Sequence, residues 1–261
     1  MYTRRPRLIA CDLDGTLLLN GAQTLQPPIF GLIRRVQAQG IRFFAASGRQ
    51  YTSIRRLFDP IRDEIGYICE NGGFSVLDGS ALFKELMDPV LARQVMREAL
   101  AAPGTELLIS GPMTSYLQPK SERYLRLIRD EMRNDVTLVP DLLALDGEIL
   151  KVSLYQEGGL RDPEGWAARW GDRCTVVTGG HAWLDIMPPH VNKGAALERV
   201  LRHLGIDAAD CMAIGDNDND REMLQLAGLP VAMAHGRQAV REVAQREIHS
   251  VDELLEELLR L

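Results

Sequence analysis

Asp12 and Asp14 stand one residue apart at the end of the apolar run Leu8-Ile9-Ala10-Cys11, and Gly15 and Thr16 follow them. Two carboxylates this close repel each other unless a cation or a chemical task occupies them. Side chains two residues apart share a face of a straight strand, but Gly15 predicts that the backbone turns sharply there. Polar residues recur at the ends of later apolar runs. Ser47 follows residues 41–46, Asn71 follows residues 67–69, and an acidic stretch, 216–220, follows residues 211–214. Lys193 stands near the start of a predicted helix. Three or more carboxylates in one crevice require a hard divalent cation, and a site that displaces few waters suits magnesium better than calcium. A lysine and a hydroxyl beside such a cation suit a phosphoryl group, whose equatorial oxygens need fixed positive charge and donors. Taken singly, each feature reads blandly: Lys193 as a solvated helix-start lysine, Ser47-Gly48 as a turn, 216–220 as an acidic loop.

The elements that must position these residues can be read in order. After the first strand, Asn20-Gly21 marks a turn. Residues 28–39 predict a helix, with Ile29, Leu32, Ile33 and Val36 at helical spacing and Gly40 closing it. Residues 41–46 predict a second strand, 51–58 a short helix, 67–69 a third strand, and 74–84 a hairpin turning at Asp78-Gly79. Strand–helix alternation argues for a parallel sheet covered by helices, with the ligand site beyond the carboxyl ends of the strands. The middle of the chain changes character. A helix over 89–102 places Val90, Leu91, Val95, Met96 and Leu100 on its apolar side, and a second is expected over 122–133. A third is expected over 163–170. Strands are expected near 106–109, 115–117, 136–139, 149–155, 175–178 and 183–186. Pro188 and Pro189 mark the return to alternation: a helix from Asn192 to Gly205, a strand over 211–214, a helix carrying Met223 and Leu224, a strand over 229–233, and helices over 238–245 and 251–261. The fold class expected is therefore α/β, a Rossmann-like parallel-sheet core built from residues 1–84 and 189–261. An α+β module over 85–188 is inserted in it.

With 261 residues, 46% hydrophobic and 25% charged, the chain can bury a core without staples. Thirty basic against 36 acidic residues, a net charge of −6, predict neither nucleic acid nor an anionic membrane as partner. The four cysteines, Cys11, Cys69, Cys174 and Cys211, form no CxxC pair and indicate neither zinc nor a disulfide framework. No run of 18 apolar residues is present, and residues 1–6 lead directly into the first strand with no room for a signal peptide, so the cytoplasm is the expected location.

Five motifs in order carry a resemblance: Asp12-Leu13-Asp14-Gly15-Thr16, Ser47-Gly48-Arg49, Glu70-Asn71-Gly72, Asn192-Lys193-Gly194 and Gly215-Asp216-x-x-Asn219-Asp220-x-x-Met223. They resemble the motifs of the haloacid dehalogenase (HAD) superfamily, and best its Cof-type phosphatase branch. The middle module is similar in position and size to that branch's inserted α/β (C2-type) cap. Two stretches depart from the branch pattern. Met233-Ala234-His235-Gly236 stands where Met-Gly-Asn-Ala is usual, and residues 244–250 replace a usual Ala-Asp-Tyr-Val-Thr.

The resemblance implies a magnesium-dependent phosphomonoester hydrolase acting on a small phosphorylated metabolite. Asp12 would be the nucleophile that forms an aspartyl-phosphate, and Asp14 the acid and then the base. The Asp12 side chain, the Asp14 main-chain carbonyl and Asp216 would hold Mg²⁺, with Asp220 and Asn219 as further ligands or anchors. Ser47 and Lys193 would hold the phosphoryl group, Thr16 would orient Asp14, and Arg49, Asn71, Gly72 and Asn192 would contact substrate. Asp12 must stay ionised to attack while Asp14 starts protonated to donate, so the surroundings of Asp14 are expected to favour its proton while the metal keeps Asp12 ionised. A phosphotransferase (mutase) and a non-catalytic module that binds a phosphorylated metabolite are the competing readings.

Overall fold

The computed structural model describes residues 5–261. The expected lead of residues 1–6 into the first strand thus lies partly outside the described residues. The chain divides into two units: residues 1–48, 54–83 and 192–261 form the first, and residues 49–53 and 84–191 the second.

The first unit is an eight-stranded sheet. Its first half comprises β1 (Leu8–Asp12), α1 (Pro28–Gln37), β2 (Arg42–Ala46), α2 (Tyr51–Leu57, whose first turn groups with the second unit), β3 (Gly66–Cys69), β4 (Phe74–Leu77) and β5 (Ser80–Lys84). Every residue of β1 and β3 is buried, as strands covered on both faces must be. Helix α1 starts on Pro28, whose missing N–H costs nothing at a first turn, and buries Ile29, Leu32, Ile33 and Val36.

The second unit holds α3 (Pro89–Ala101), β6 (Thr105–Ser110), β7 (Ser115–Leu117), α4 (Glu122–Arg126), β8 (Val136–Leu138), β9 (Lys151–Gln156), α5 (Pro163–Trp170), β10 (Thr175–Gly179) and β11 (Trp183–Met187). The strands form one sheet in the order β10-β11-β9-β6-β7-β8, antiparallel except for the β7–β8 pair. Val95, Met96, Trp166 and Trp170 pack on one face against Val152, Leu154 and Ile186. Leu108, Leu117, Tyr124 and Ile128 form a second, smaller cluster. Two expectations fail here. Val90 is 58% exposed, because the buried side of α3 is Ala92, Val95, Met96 and Ala99. The helix expected over 122–133 is α-helical only to Arg126. It then widens into a π turn, Leu127–Glu131, closed by Met132 N–H donating to Leu127 O.

The return to the first unit runs through α6 (Lys193–Leu204), β12 (Cys211–Gly215), α7 (Arg221–Leu226), β13 (Leu229–Met233), α8 (Gln238–Arg241), β14 (Arg246–Ile248) and α9 (Val251–Leu258). Helix α6 ends on Gly205 at φ +61°, the left-handed turn its glycine permits. The sheet order is β14-β13-β12-β1-β2-β3-β4-β5, with β1 parallel to both β2 and β12. The helix expected over 238–245 stops at Arg241. Gln245 N–H donates instead to Pro230 O and opens β14 beside β13. Among the described residues no helix is long and apolar enough to cross a membrane, and all four cysteines are free and buried.

Candidate active site

Strand β1 lies at the point where the sheet's order reverses, with β2 on one side and β12 on the other. In open parallel sheets a crevice forms at the carboxyl ends on either side of such a strand. The register sets Asp12 beside Ala46 and Cys11 beside Ile214, so the residues just beyond β2 and β12 emerge next to Asp12. These are Ser47 and Asp216.

The chain leaves β1 in a closed turn. Leu13 O accepts from Thr16 N–H (3.1 Å) and Leu18 N–H (2.7 Å), and Gly15 N–H donates to Leu18 O at 3.0 Å. Gly15 sits at φ +88°, and a Cβ there would fall 2.2 Å from Asp216 Oδ2. Only glycine combines that backbone with that approach. The turn separates the two aspartates: Asp12 is 5% exposed, whereas Asp14 is exposed. Burial thus falls on Asp12 and not on Asp14. Thr16 donates to Asp216 Oδ1 at 3.3 Å. It therefore ties the first motif to the last.

Lys193 is the first residue of α6, behind the N-cap Asn192, whose side chain accepts from Ala195 N–H at 2.8 Å. Its ammonium is fully buried and donates to Asp12 Oδ1 and Asp220 Oδ1, each at 2.6 Å. Asp220 closes a short 3-10 turn after β12, where its other oxygen accepts from the N–H groups of Asp216 and Asn217, each at 3.0 Å. Asp220 thereby fixes both the lysine and the loop that presents Asp216.

Oxygens of Asp12, Asp216 and Asp220 lie within 4.8 Å of one another. Two of the three, Asp12 and Asp220, share the Lys193 ammonium. Burial, and next Asp220, push the Asp12 carboxyl well above the usual carboxylate range, with Lys193 opposing. Burial and Asp220 raise Asp216 as well. Burial alone would lower Lys193, but Asp12 and Asp220 more than offset it and hold the ammonium above the ordinary lysine value. Asp12 Oδ2 is buried with no hydrogen-bond partner. A buried carboxylate oxygen left open among other carboxylates is the donor set of a divalent cation.

Ser47 is 1% exposed, its N–H bonded to Ile68 O and its carbonyl to Asn71 N–H. Glu70, Asn71 and Gly72 are three successive residues at positive φ, +51°, +55° and +103°. Strain of this kind persists where the surroundings enforce it. Here Asn71 Oδ1 accepts from Asn219 Nδ2 at 3.0 Å, and a Cβ on Gly72 would lie 2.3 Å from Asn192 O. The first unit therefore gathers Asp12, Asp14, Ser47, Asn71, Gly72, Asn192, Lys193, Asp216, Asn219 and Asp220 at one end of its sheet. Arg49 belongs to the second unit. His235, which the sequence reading did not place in the site, has Nε2 2.8 Å from Gly15 O. Its signal was the departure at residues 233–236.

Residues 9–254 match the family of haloacid dehalogenase-like hydrolases. The chain is 28% identical to the 5-amino-6-(5-phospho-D-ribitylamino)uracil phosphatase YbjI of Escherichia coli, over 92% of this chain and 89% of that protein. It is 31% identical to the HMP-PP phosphatase of Cronobacter sakazakii, over 88% and 84%. A crystal structure from Eubacterium rectale superposes with a TM-score of 0.88 at 26% identity, covering 97% of this chain and 98% of the other. The chain belongs to the haloacid dehalogenase-like hydrolases, among the Cof-type phosphatases.

Proposed function

We propose that the chain hydrolyses phosphomonoesters of small metabolites with magnesium, through an aspartyl-phosphate formed on Asp12. The observation that carries this reading is the state of Asp12: buried, held through Oδ1 by Lys193, and open at Oδ2. A nucleophile held at one oxygen and bare at the other is oriented for attack.

The Asp12 and Asp216 side chains and the Asp14 main-chain carbonyl would hold the cation, with Asn219 nearby. Asp220, both of whose oxygens already accept hydrogen bonds, serves as their anchor. Magnesium, when bound, offsets the repulsion between Asp12 and a phosphate dianion. One Asp12 carboxylate oxygen bonds to phosphorus as the bond from phosphorus to the ester oxygen breaks, and the other is left to the cation. Asp14 gives its proton to that leaving oxygen. The Asp14 carboxylate then takes a proton from water, whose oxygen attacks phosphorus and releases Asp12 and inorganic phosphate. Asp14's exposure supports a group that trades protons with both leaving group and water. Lys193 has one N–H beyond the two given to Asp12 and Asp220, and with the Ser47 hydroxyl it holds the phosphoryl oxygens. Asn71, Gly72 and Asn192 contact the substrate beside it.

The two relatives are named for small phosphorylated substrates, which supports a sugar phosphate, nucleotide or phosphorylated cofactor here. The four free thiols support a cytoplasmic location. The test is turnover of p-nitrophenyl phosphate with magnesium, followed by a panel of phosphorylated metabolites. Activity should vanish with EDTA and in Asp12→Asn, and a wild-type rate in that variant overturns the mechanism. Reaction in H₂¹⁸O should place label in the released phosphate. Unlabelled product carrying the phosphoryl group on a sugar hydroxyl identifies a phosphotransferase instead.

A further inference from the structure

Strand β13 ends at Met233, and the chain turns back at once, with Gly236 N–H donating to Met233 O at 2.8 Å. From this one turn, bonds run to both acidic loops of the site. His235 Nε2 lies 2.8 Å from Gly15 O. A carbonyl oxygen can only accept, so Nε2 carries the proton. Arg237 N–H donates to Asp216 O at 2.8 Å, and the Arg237 guanidinium pairs with Asp218. Gly236 makes the approach possible, because a Cβ there would sit 3.0 Å from Asp216 O and 2.9 Å from Met233 O.

The contact with Gly15 matters because of its position in the turn after β1. Gly15 N–H donates to Leu18 O. A trans peptide is planar, so the Asp14 carbonyl across that bond points the opposite way. The next peptide is held at both ends, its Thr16 N–H on Leu13 O at 3.1 Å and its Gly15 oxygen by His235 Nε2 at 2.8 Å. With the peptide planes on both sides of Gly15 pinned, neither can rotate without breaking a bond. The direction of the Asp14 carbonyl is then set by hydrogen bonds and not left to a glycine free at φ +88°.

We propose that His235 is a positioning residue for the cation site, and that the 233–237 turn is a clamp. The imidazole reinforces, through Gly15, the turn whose backbone bonds direct the Asp14 carbonyl, while Arg237 N–H holds the backbone of Asp216. This rests on reading Asp12, Asp14 and Asp216 as cation ligands.

Calorimetric titration of the substrate-free chain with magnesium tests it in the wild type, His235→Ala and His235→Gln. His235→Ala should bind magnesium about tenfold more weakly, the lower end of what loss of a ligand-orienting partner costs. Gln carries an amide nitrogen that reaches as far as Nε2, so His235→Gln should recover most of the loss. His235 is exposed, so both variants should fold, and circular dichroism checks this. A wild type that binds magnesium and an Ala variant that matches it overturn the clamp alone. A Gln variant as weak as Ala overturns the role of the Nε2 donor. A wild type that binds no magnesium overturns the cation site and the clamp with it.

Discussion

The Lys193 ammonium and the Asp12 carboxylate meet at 2.6 Å across 181 residues of chain, with Lys193 wholly shielded from water. The same ammonium holds Asp220 at the same distance. Removing it leaves two buried carboxylates facing each other. Lys193→Met should therefore lower unfolding free energy by about 3–5 kcal/mol, the cost of stranding a buried charge. Its activity should fall to background. Adding Asp220→Asn removes one of the stranded charges and should recover part of the stability but none of the activity. Urea denaturation midpoints and p-nitrophenyl phosphate rates measure the two effects separately. Equal stability of Lys193→Met and wild type would rule out the buried ion triad.

Asp216 gives the pH-dependent counterpart. Burial and neighbouring Asp220 raise its carboxyl above the usual value. A group that binds its proton more tightly in the folded state stabilises the fold below its unfolded pKa, and that contribution is lost as pH rises through the folded one. At pH 7 the ionised Asp216 therefore works against the metal-free fold. Asp216→Asn should melt higher than wild type at pH 7 without metal, and the gap should shrink as pH falls toward the ordinary carboxylate value. Magnesium should raise the wild-type melting temperature, because it binds only the folded chain, and leave the variant nearly unmoved. Thermal scans with EDTA or magnesium at two pH values decide it. A variant that melts below the metal-free wild type contradicts the argument.

What the sequence made legible divides along physical lines. Buried strands and their polar ends were readable, because apolar runs ending at Asp12, Ser47, Asn71 and Asp216 are local patterns. Lys193 was readable only through the motif it belongs to: alone it reads as a solvated lysine, because its burial depends on Asp12 and Asp220, separate in sequence from it. Strand β14 escaped because it has three residues, of which only Ile248 is buried, and its pairing with β13 is non-local. The π turn after Arg126 escaped because helical periodicity does not register one extra residue per turn. The division of labour between Asp12 and Asp14 was visible as chemistry, but which one is buried depends on where β1 ends, and that was not.

Gly15 separates backbone strain from site geometry. In Gly15→Ala the methyl would collide with Asp216 Oδ2 at 2.2 Å, and φ +88° would be strained as well. A displacement of about 1 Å at catalytic groups can cost roughly 100-fold in rate, and a loss of that order is expected. Gly79, at φ +72° in the β4–β5 turn, has nothing within 4 Å of its Cβ position. Gly79→Ala should carry comparable backbone strain, about 1–2 kcal/mol, with kcat unchanged. Paired measurements of melting temperature and kcat test the contrast. Equal kcat losses in the two variants would show that strain, and not the Asp216 contact, governs Gly15.

The four thiols give a prediction independent of catalysis. Burial pushes Cys11 and Cys69 well above the ordinary thiol value, raises Cys174, and pushes Cys211 up to about 12. Asp12 adds to the effect at Cys11. The thiolate is the reactive form, and here it is both scarce and enclosed. Native protein at pH 8 should therefore show no rapid reaction with a disulfide reagent such as DTNB. All four thiols should titrate once guanidinium unfolds the chain. Because Cys11 lies in β1 and Cys211 in β12, their native rates also report opening of the sheet beneath the site. Magnesium should slow those rates further if it binds at the strand ends as proposed, since a cation held by Asp12 and Asp216 ties the same two strands together. Native reaction of Cys11 or Cys211 at the rate of a free thiol would contradict a closed core there.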